Sequence, residues 1–178
     1  AHESADLQSL AVAITRGAFE YQGQKCSAVS RCYIPQGMWG ALSEKLKTMH
    51  AGLKVGDICD FTNFMGAVID KRAFDKIKGY IDYAKESDEA EVILGGECDE
   101  SKGYFIQPTV VLTTNPNFKL IQEEIFGPVV TIYCYPDGEF AEVLELCDKA
   151  SPYALTGAIF AREKAAVMQA SKALRHTA

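Results

Sequence analysis

The chain has 178 residues, 48% hydrophobic and 24% charged, with a formal net charge of -6. That is enough apolar material for one buried core, and mixed charges leave no basic stripe for nucleic acid or an anionic lipid surface. No apolar run approaches the ~20 residues of a membrane helix, and the opening "AHESAD" has neither a signal-peptide pattern nor an initiating methionine, so the chain reads as beginning inside a longer one.

Residues 6–20, "DLQSLAVAITRGAFE", carry Leu7, Leu10, Val12, Ile14 and Phe19 at a spacing that predicts a largely buried helix. Gly23 then breaks the helix and lets backbone come close to a neighbour. "SAVSRCYIP" predicts a strand ended by Pro35, and from Met38 to Met49 the residues Trp39, Leu42, Leu46 and Met49 recur at helical intervals. The turn "GLKVGD" leads to an amphipathic helix from Asp70 to Glu86, with Phe74, Ile77, Ile81 and Ala84 on one face. "EVILGG" is a strand stopped by two glycines.

Pro108 within "FIQPTVVLTT" predicts an edge strand or a bulge. "GPVVTIYCY" is the strongest strand signal, an apolar run bounded by turn residues. A helix from Glu139 to Ala150, a strand at "LTGAIF" and a helix from Glu163 to Leu174 complete the pattern. Strands alternating with helices predict an α/β fold, a mostly parallel sheet covered by helices. No internal repeat, low-complexity tract or interdomain linker interrupts it.

The six cysteines lack a C-x-x-C pair and read as free thiols in a reducing compartment. His2, His50 and His176 stand near no cysteine cluster and read as surface residues, so no metal site is expected. Gly95-Gly96 is too short for a phosphate loop.

Two stretches remain for chemistry. Cys26, in "EYQGQKCSAVSR", falls at a corner between helix and strand. A thiolate adds to a carbonyl carbon and leaves again from a thioester when its surroundings favour ionisation, and Lys25 and the turn amides are candidate helpers. Alone, that tetrapeptide fits a buried structural cysteine equally well. The second stretch, "QEEIFGPV", sets Glu123, Glu124 and Phe126 before a Gly-Pro turn; by itself it reads as solvated acids and a ring capping the core. Cys32, Cys59, Cys98, Cys134 and Cys147 read as small apolar fillers.

Together and in this order, "FEYQGQKCSA" and "EEIFGPV" resemble the aldehyde dehydrogenase superfamily. "KVGD", "FMGAVID", "GYFIQPTVV", "YPDGEF" and "SPYALTGAIF" are similar to its branch acting on glutamate γ-semialdehyde, and the resemblance runs along the whole chain. It implies that Cys26 is the nucleophile, with its own backbone N–H as one oxyanion donor, and that Ser27 lies beside the substrate. Glu124 would hold the nicotinamide ribose of NAD, and Phe126 would pack against the same nucleotide. Gln22 stands where several members have glycine, a change that reads as surface-compatible.

The implied reaction converts a small aldehyde, glutamate γ-semialdehyde, to glutamate in proline breakdown, in a homo-oligomeric enzyme of the mitochondrial matrix. The resemblance places the general-base glutamate, the oxyanion-completing amide and nearly all of the dinucleotide-binding region upstream. It places a substrate-carboxylate loop and a dimerisation segment downstream. Residues 1–178 then form a single cysteine-bearing catalytic domain of a larger enzyme, with little or no NAD-dependent turnover alone. Two other readings are a non-catalytic module that keeps the motifs, or an acyltransferase or redox sensor pairing Cys26 with Cys32. Thiol reactivity tests the first, and trapping a Cys26–Cys32 disulfide under mild oxidation the second.

Overall fold

The computed structural model describes residues 1–153 and 155–174. Its helices are α1 (Leu7–Phe19), α2 (Gln36–Ala51), α3 (Lys71–Glu86), α4 (Lys119–Gln122), α5 (Phe140–Lys149) and α6 (Lys164–Ala173). The strands are β1 (Arg31–Pro35), β2 (Ala90–Leu94), β3 (Cys98–Asp99), β4 (Phe105–Ile106), β5 (Thr109–Thr113) and β6 (Val129–Tyr135). The main sheet has the order β1-β6-β5-β2, and β3 and β4 form a separate short ladder. β6 runs parallel to β1 and to β5, while β2 pairs antiparallel with β5.

Alternation along the strands explains why this sheet needs helices on both faces. Tyr33, Val111 and Val129 face one core, which they share with Phe74, Ile77 and Ile81 of α3 and Val143 of α5. Their neighbours Ile34, Val110 and Val130 face the other, with Leu10 and Ile14 of α1 and Leu42 and Leu46 of α2. A strand buried on both sides reads as a continuous apolar run, as β6 does. Each large side chain fully withdrawn from water contributes roughly 1.5–3 kcal/mol. α3 begins where the Asp70 carboxylate accepts from Ala73 N–H at 2.7 Å, and it buries Phe74, Ile77, Ile81 and Ala84, the face anticipated from spacing.

Several expectations change. Val12 is 40% exposed, so α1 is amphipathic rather than largely buried. β5 lies inside the sheet between β6 and β2. Pro108 falls just ahead of β5, where its missing N–H disturbs no ladder, and its carbonyl accepts from His50 Nε2 at 2.7 Å. The sheet irregularity sits instead on β2, between Val92 and Leu94. "LTGAIF" forms no strand: residues 155–160 follow an irregular path with Leu155 61% exposed, and Phe160 O accepts from His2 N–H at 2.8 Å. The predicted strand starting at Ser27 begins only at Arg31. Both His2 and His50 are half-buried and hydrogen-bonded rather than free on the surface; His176 lies outside the described residues. Among the described residues no helix is long and apolar enough to cross a membrane.

Candidate active site

The corner that carries Cys26 is made by an unusual chain reversal. α1 passes into a 3-10 turn, Glu20–Gly23, in which Tyr21 (φ 55°), Gln22 (φ 57°) and Gly23 (φ 63°) are left-handed in succession. For an L-residue that conformation costs roughly 1–2 kcal/mol, so Tyr21 and Gln22 need support from their surroundings. The Gln22 side-chain amide donates to Ala67 O at 3.0 Å, and Gln24 Oε1 accepts from Ile69 N–H at 2.9 Å. Gln22 is thus half-buried and tethered, not a neutral surface change. Its left-handed φ explains why glycine also suits the position.

Gly23 has no alternative. A Cβ there would lie 2.2 Å from Gly127 O and 2.7 Å from Ala18 O. This backbone-to-backbone contact brings the corner of the first motif against the turn of the second. Beyond it, Ala28 N–H donates to Lys25 O at 2.9 Å, closing a turn whose two inner residues are Cys26 and Ser27. Both are exposed, and the Cys26 N–H meets no acceptor among the described residues. Lys25 is occupied elsewhere: its ammonium lies 3.0 Å from Glu20 Oε2, with Arg16 2.6 Å from the other oxygen. Hydrogen bonds from Arg16 and then Lys25 lower the Glu20 carboxyl to about 2. The lysine therefore serves a surface carboxylate rather than the thiol.

The second turn follows α4. Ile125 and Gly127 are buried, whereas Glu124 and Phe126 point outward, with Phe126 left-handed (φ 60°) and 43% exposed. Ile125, not Phe126, closes the core beneath the turn. α3 supports it from below. Lys76 Nζ donates to Glu124 O at 2.6 Å, the Tyr80 hydroxyl donates to Glu123 Oε2 at 2.6 Å, and a Cβ on Gly127 would lie 2.5 Å from Ile77 Cδ1. Burial, and then the bond to Glu123, raise the Tyr80 hydroxyl to about 12. The Glu124 carboxylate has no partner among the described residues.

An unpaired carboxylate beside an exposed ring fits a nucleotide with ribose hydroxyls to donate and an aromatic ring to pack. Among the described residues no group of three His, Cys, Asp or Glu side chains is placed to hold a metal. Pockets of about 230 Å³, lined by His2, Glu3, Tyr135 and Phe140 among others, and about 180 Å³, lined by Val55, Glu97, Asp99 and Phe105 among others, include none of the candidate residues. The candidate site is an open face of the molecule.

Cys32, Cys98, Cys134 and Cys147 are half-buried, unlike the exposed Cys26. Desolvation pushes Cys32 up to about 12 and Cys134 up to about 11. Cys59, expected to fill an apolar gap, is exposed on a loop where its N–H donates to Asp57 Oδ1 at 2.9 Å.

A model of the aldehyde dehydrogenase family matches residues 1–177. The chain belongs to the aldehyde dehydrogenase family. It is 50% identical over 177 residues to the mitochondrial delta-1-pyrroline-5-carboxylate dehydrogenase of Dictyostelium discoideum, and 48% identical over 178 residues to that of Danio rerio. Each comparison covers 99% of this chain and 32% of the relative, so the chain spans about a third of the length of the curated relatives it matches. Within the family, the crystal structure of the Mycobacterium tuberculosis Delta-pyrroline-5-carboxylate dehydrogenase bound with NAD superposes with a TM-score of 0.90 at 44% identity, covering 98% of this chain and 31% of that one. The α/β fold with its mostly parallel sheet is the one these aldehyde dehydrogenase structures share.

Within that family frame, Lys76, Tyr80 and Gln24 are the residues that sequence reasoning passed over, and Gln22 is one whose tether it did not foresee. Lys76 and Tyr80 recur at i and i+4 along α3, but that spacing alone does not reveal that their partners are the distant Glu124 carbonyl and Glu123 carboxylate.

Proposed function

We propose that these residues form the cysteine-bearing catalytic domain of an NAD-dependent aldehyde dehydrogenase that oxidises L-glutamate γ-semialdehyde, the open form of 1-pyrroline-5-carboxylate, to glutamate. The observation that carries this reading is the Gly23–Gly127 contact, which sets the exposed Cys26 corner beside the turn bearing the unpaired Glu124. The names of the relatives, at 50% and 48% identity, support the choice of substrate. In an enzyme of the relatives' length, the residues outside 1–178 would supply the dinucleotide-binding region, the general base and the oligomerisation segment. A homo-oligomer in the mitochondrial matrix is part of the proposal, with the mitochondrial names of those relatives as its support.

The roles follow from position. The Cys26 thiolate adds to the aldehyde carbon, and the displaced carbonyl electron pair becomes an oxyanion within reach of the free Cys26 N–H. Ser27, on the same exposed turn, lies beside the bound aldehyde. Glu124 accepts from the nicotinamide ribose, and Phe126 packs against the nucleotide. NAD, when bound, supplies the acceptor for the hydride lost from the former aldehyde carbon. Cys26 then holds the acyl group as a thioester until water, deprotonated by a base, attacks that carbon and the sulfur leaves as thiolate.

The test is NADH formation from glutamate γ-semialdehyde by the full-length enzyme carrying these residues. Turnover is expected, with loss of several orders of magnitude in Cys26→Ser, and the isolated chain is expected to give little or none. Turnover that survives Cys26→Ser would end the nucleophile assignment. Preference for another aldehyde would replace the substrate, and full-length protein inert toward every aldehyde tried would favour a non-catalytic module.

A further inference from the structure

We propose that Lys76 and Tyr80 of α3 are positioning residues that hold the cofactor-facing Glu124 turn, a role that rests on the reading of Glu124 as the ribose-binding carboxylate. Both side chains reach out of their own helix to the same short segment. Lys76 Nζ donates to the carbonyl of Glu124 itself at 2.6 Å, which fixes the peptide plane next to the Cα that carries the carboxylate. One helical turn later the Tyr80 hydroxyl holds Glu123 Oε2 at 2.6 Å. The two anchors also support one another, because Lys76 Nζ lies 5.9 Å from the centre of the Tyr80 ring. Lys119, on α4 just ahead of the turn, lies 5.3 Å from the same ring centre.

The turn needs such anchors. Its inner residues are fixed by packing, Ile125 in the core and Gly127 against Ile77, but Glu123, Glu124 and Phe126 are exposed, and Phe126 is left-handed. The Glu124 side chain has no partner of its own among the described residues. A carboxylate on an untethered exposed turn must lose that freedom when a ligand binds, which weakens binding; ordering it beforehand removes the loss. Lys76 is itself exposed and Tyr80 is only half-buried, so their bonds add little to overall stability. Their effect is expected on cofactor affinity.

The experiment uses the full-length enzyme and four variants: Lys76→Met, Lys76→Arg, Tyr80→Phe and Glu124→Gln. NAD is titrated by calorimetry, KM for NAD and for the aldehyde are measured separately, and thermal unfolding and Cys26 alkylation are followed without cofactor. Tyr80→Phe and Lys76→Met keep the ring and the aliphatic stem, so both are expected to fold. Each should raise the Kd and KM for NAD roughly two- to tenfold, the loss expected for one net hydrogen bond. The aldehyde KM, unfolding temperature and alkylation rate should stay at the parent values, and Lys76→Arg, which still donates, should recover most of the affinity. Parent-like NAD affinity in both Lys76→Met and Tyr80→Phe, with affinity lost in Glu124→Gln, overturns the positioning role and leaves the cofactor site standing. A lower unfolding temperature matching the loss of affinity also overturns it, by showing a merely structural role. Unchanged affinity in Glu124→Gln removes the ribose-binding assignment, and the positioning role falls with it.

Discussion

Cys26 and Cys32 come from one short stretch of chain, yet the fold gives their thiols opposite surroundings. Cys26 stands in an exposed turn, reached through successive left-handed residues and leaning on a glycine that touches a distant turn. Cys32 stands on β1, paired with Ile132 in a sheet covered by helices, and desolvation raises its thiol to about 12. The difference teaches that the chemistry of a cysteine is decided by the backbone path that delivers it. The corner takes left-handed conformations and displays a side chain, and the strand holds a half-buried one against the core.

Reactivity toward a limiting alkylating agent offers the widest separation. At pH 8 a thiol of pKa about 12 is ionised to roughly one part in ten thousand. Peptide mapping after iodoacetamide treatment is therefore expected to show Cys26 modified orders of magnitude faster than Cys32, with Cys134 also slow. Burial raises these two thiols by penalising the thiolate, so their rates should climb only as pH approaches 11–12. Equal rates for Cys26 and Cys32 at pH 8 would abolish the contrast.

The corner's dependence on its glycine is the next largest effect. Gly23→Ala places a methyl 2.2 Å from Gly127 O in a left-handed conformation, and should cost about 2–4 kcal/mol in denaturant unfolding. It should also push the two turns apart and weaken NAD binding in the full-length enzyme. A cost below about 0.5 kcal/mol would mean that the contact is not tight. The smallest effect has the opposite sign. Gly40, exposed within α2, has open space around a prospective Cβ, so Gly40→Ala should stabilise by about 0.5–1 kcal/mol in the same assay.

Much of the fold is legible wherever one periodic signal decides an element by itself. The buried face of α3 follows from Phe74, Ile77, Ile81 and Ala84, and the strand β6 from its largely apolar run between turn residues. The irregular course of residues 155–160 escapes that reading because a strand is a relation between neighbours, and no ladder in the described structure pairs with this apolar segment. At the site, Cys26, Ser27, Glu124 and Phe126 are named by motif, and all four are exposed. The left-handed run at Tyr21 and Gln22 could not be read from residue type, since neither residue favours that conformation. Nor could the tethers from Lys76 and Tyr80, which join residues brought together only by the packing of α3 under the turn.

The sheet order also sets when the candidate site comes into being. Among the described residues β1 pairs only with β6, with Arg31 opposite Thr131, and this longest-range pairing in the sheet directly follows the Cys26 corner on one strand and the Glu124 turn on the other. Closing so long a loop carries its entropic cost before any contact rewards it, and parallel pairing of this kind is slow. A chain emerging from a ribosome presents Cys26 well before residues 129–135 exist to pair with β1. During that interval the Cys26 segment has no β6 beside it, and the turn that meets its corner arrives with the strand that completes the sheet.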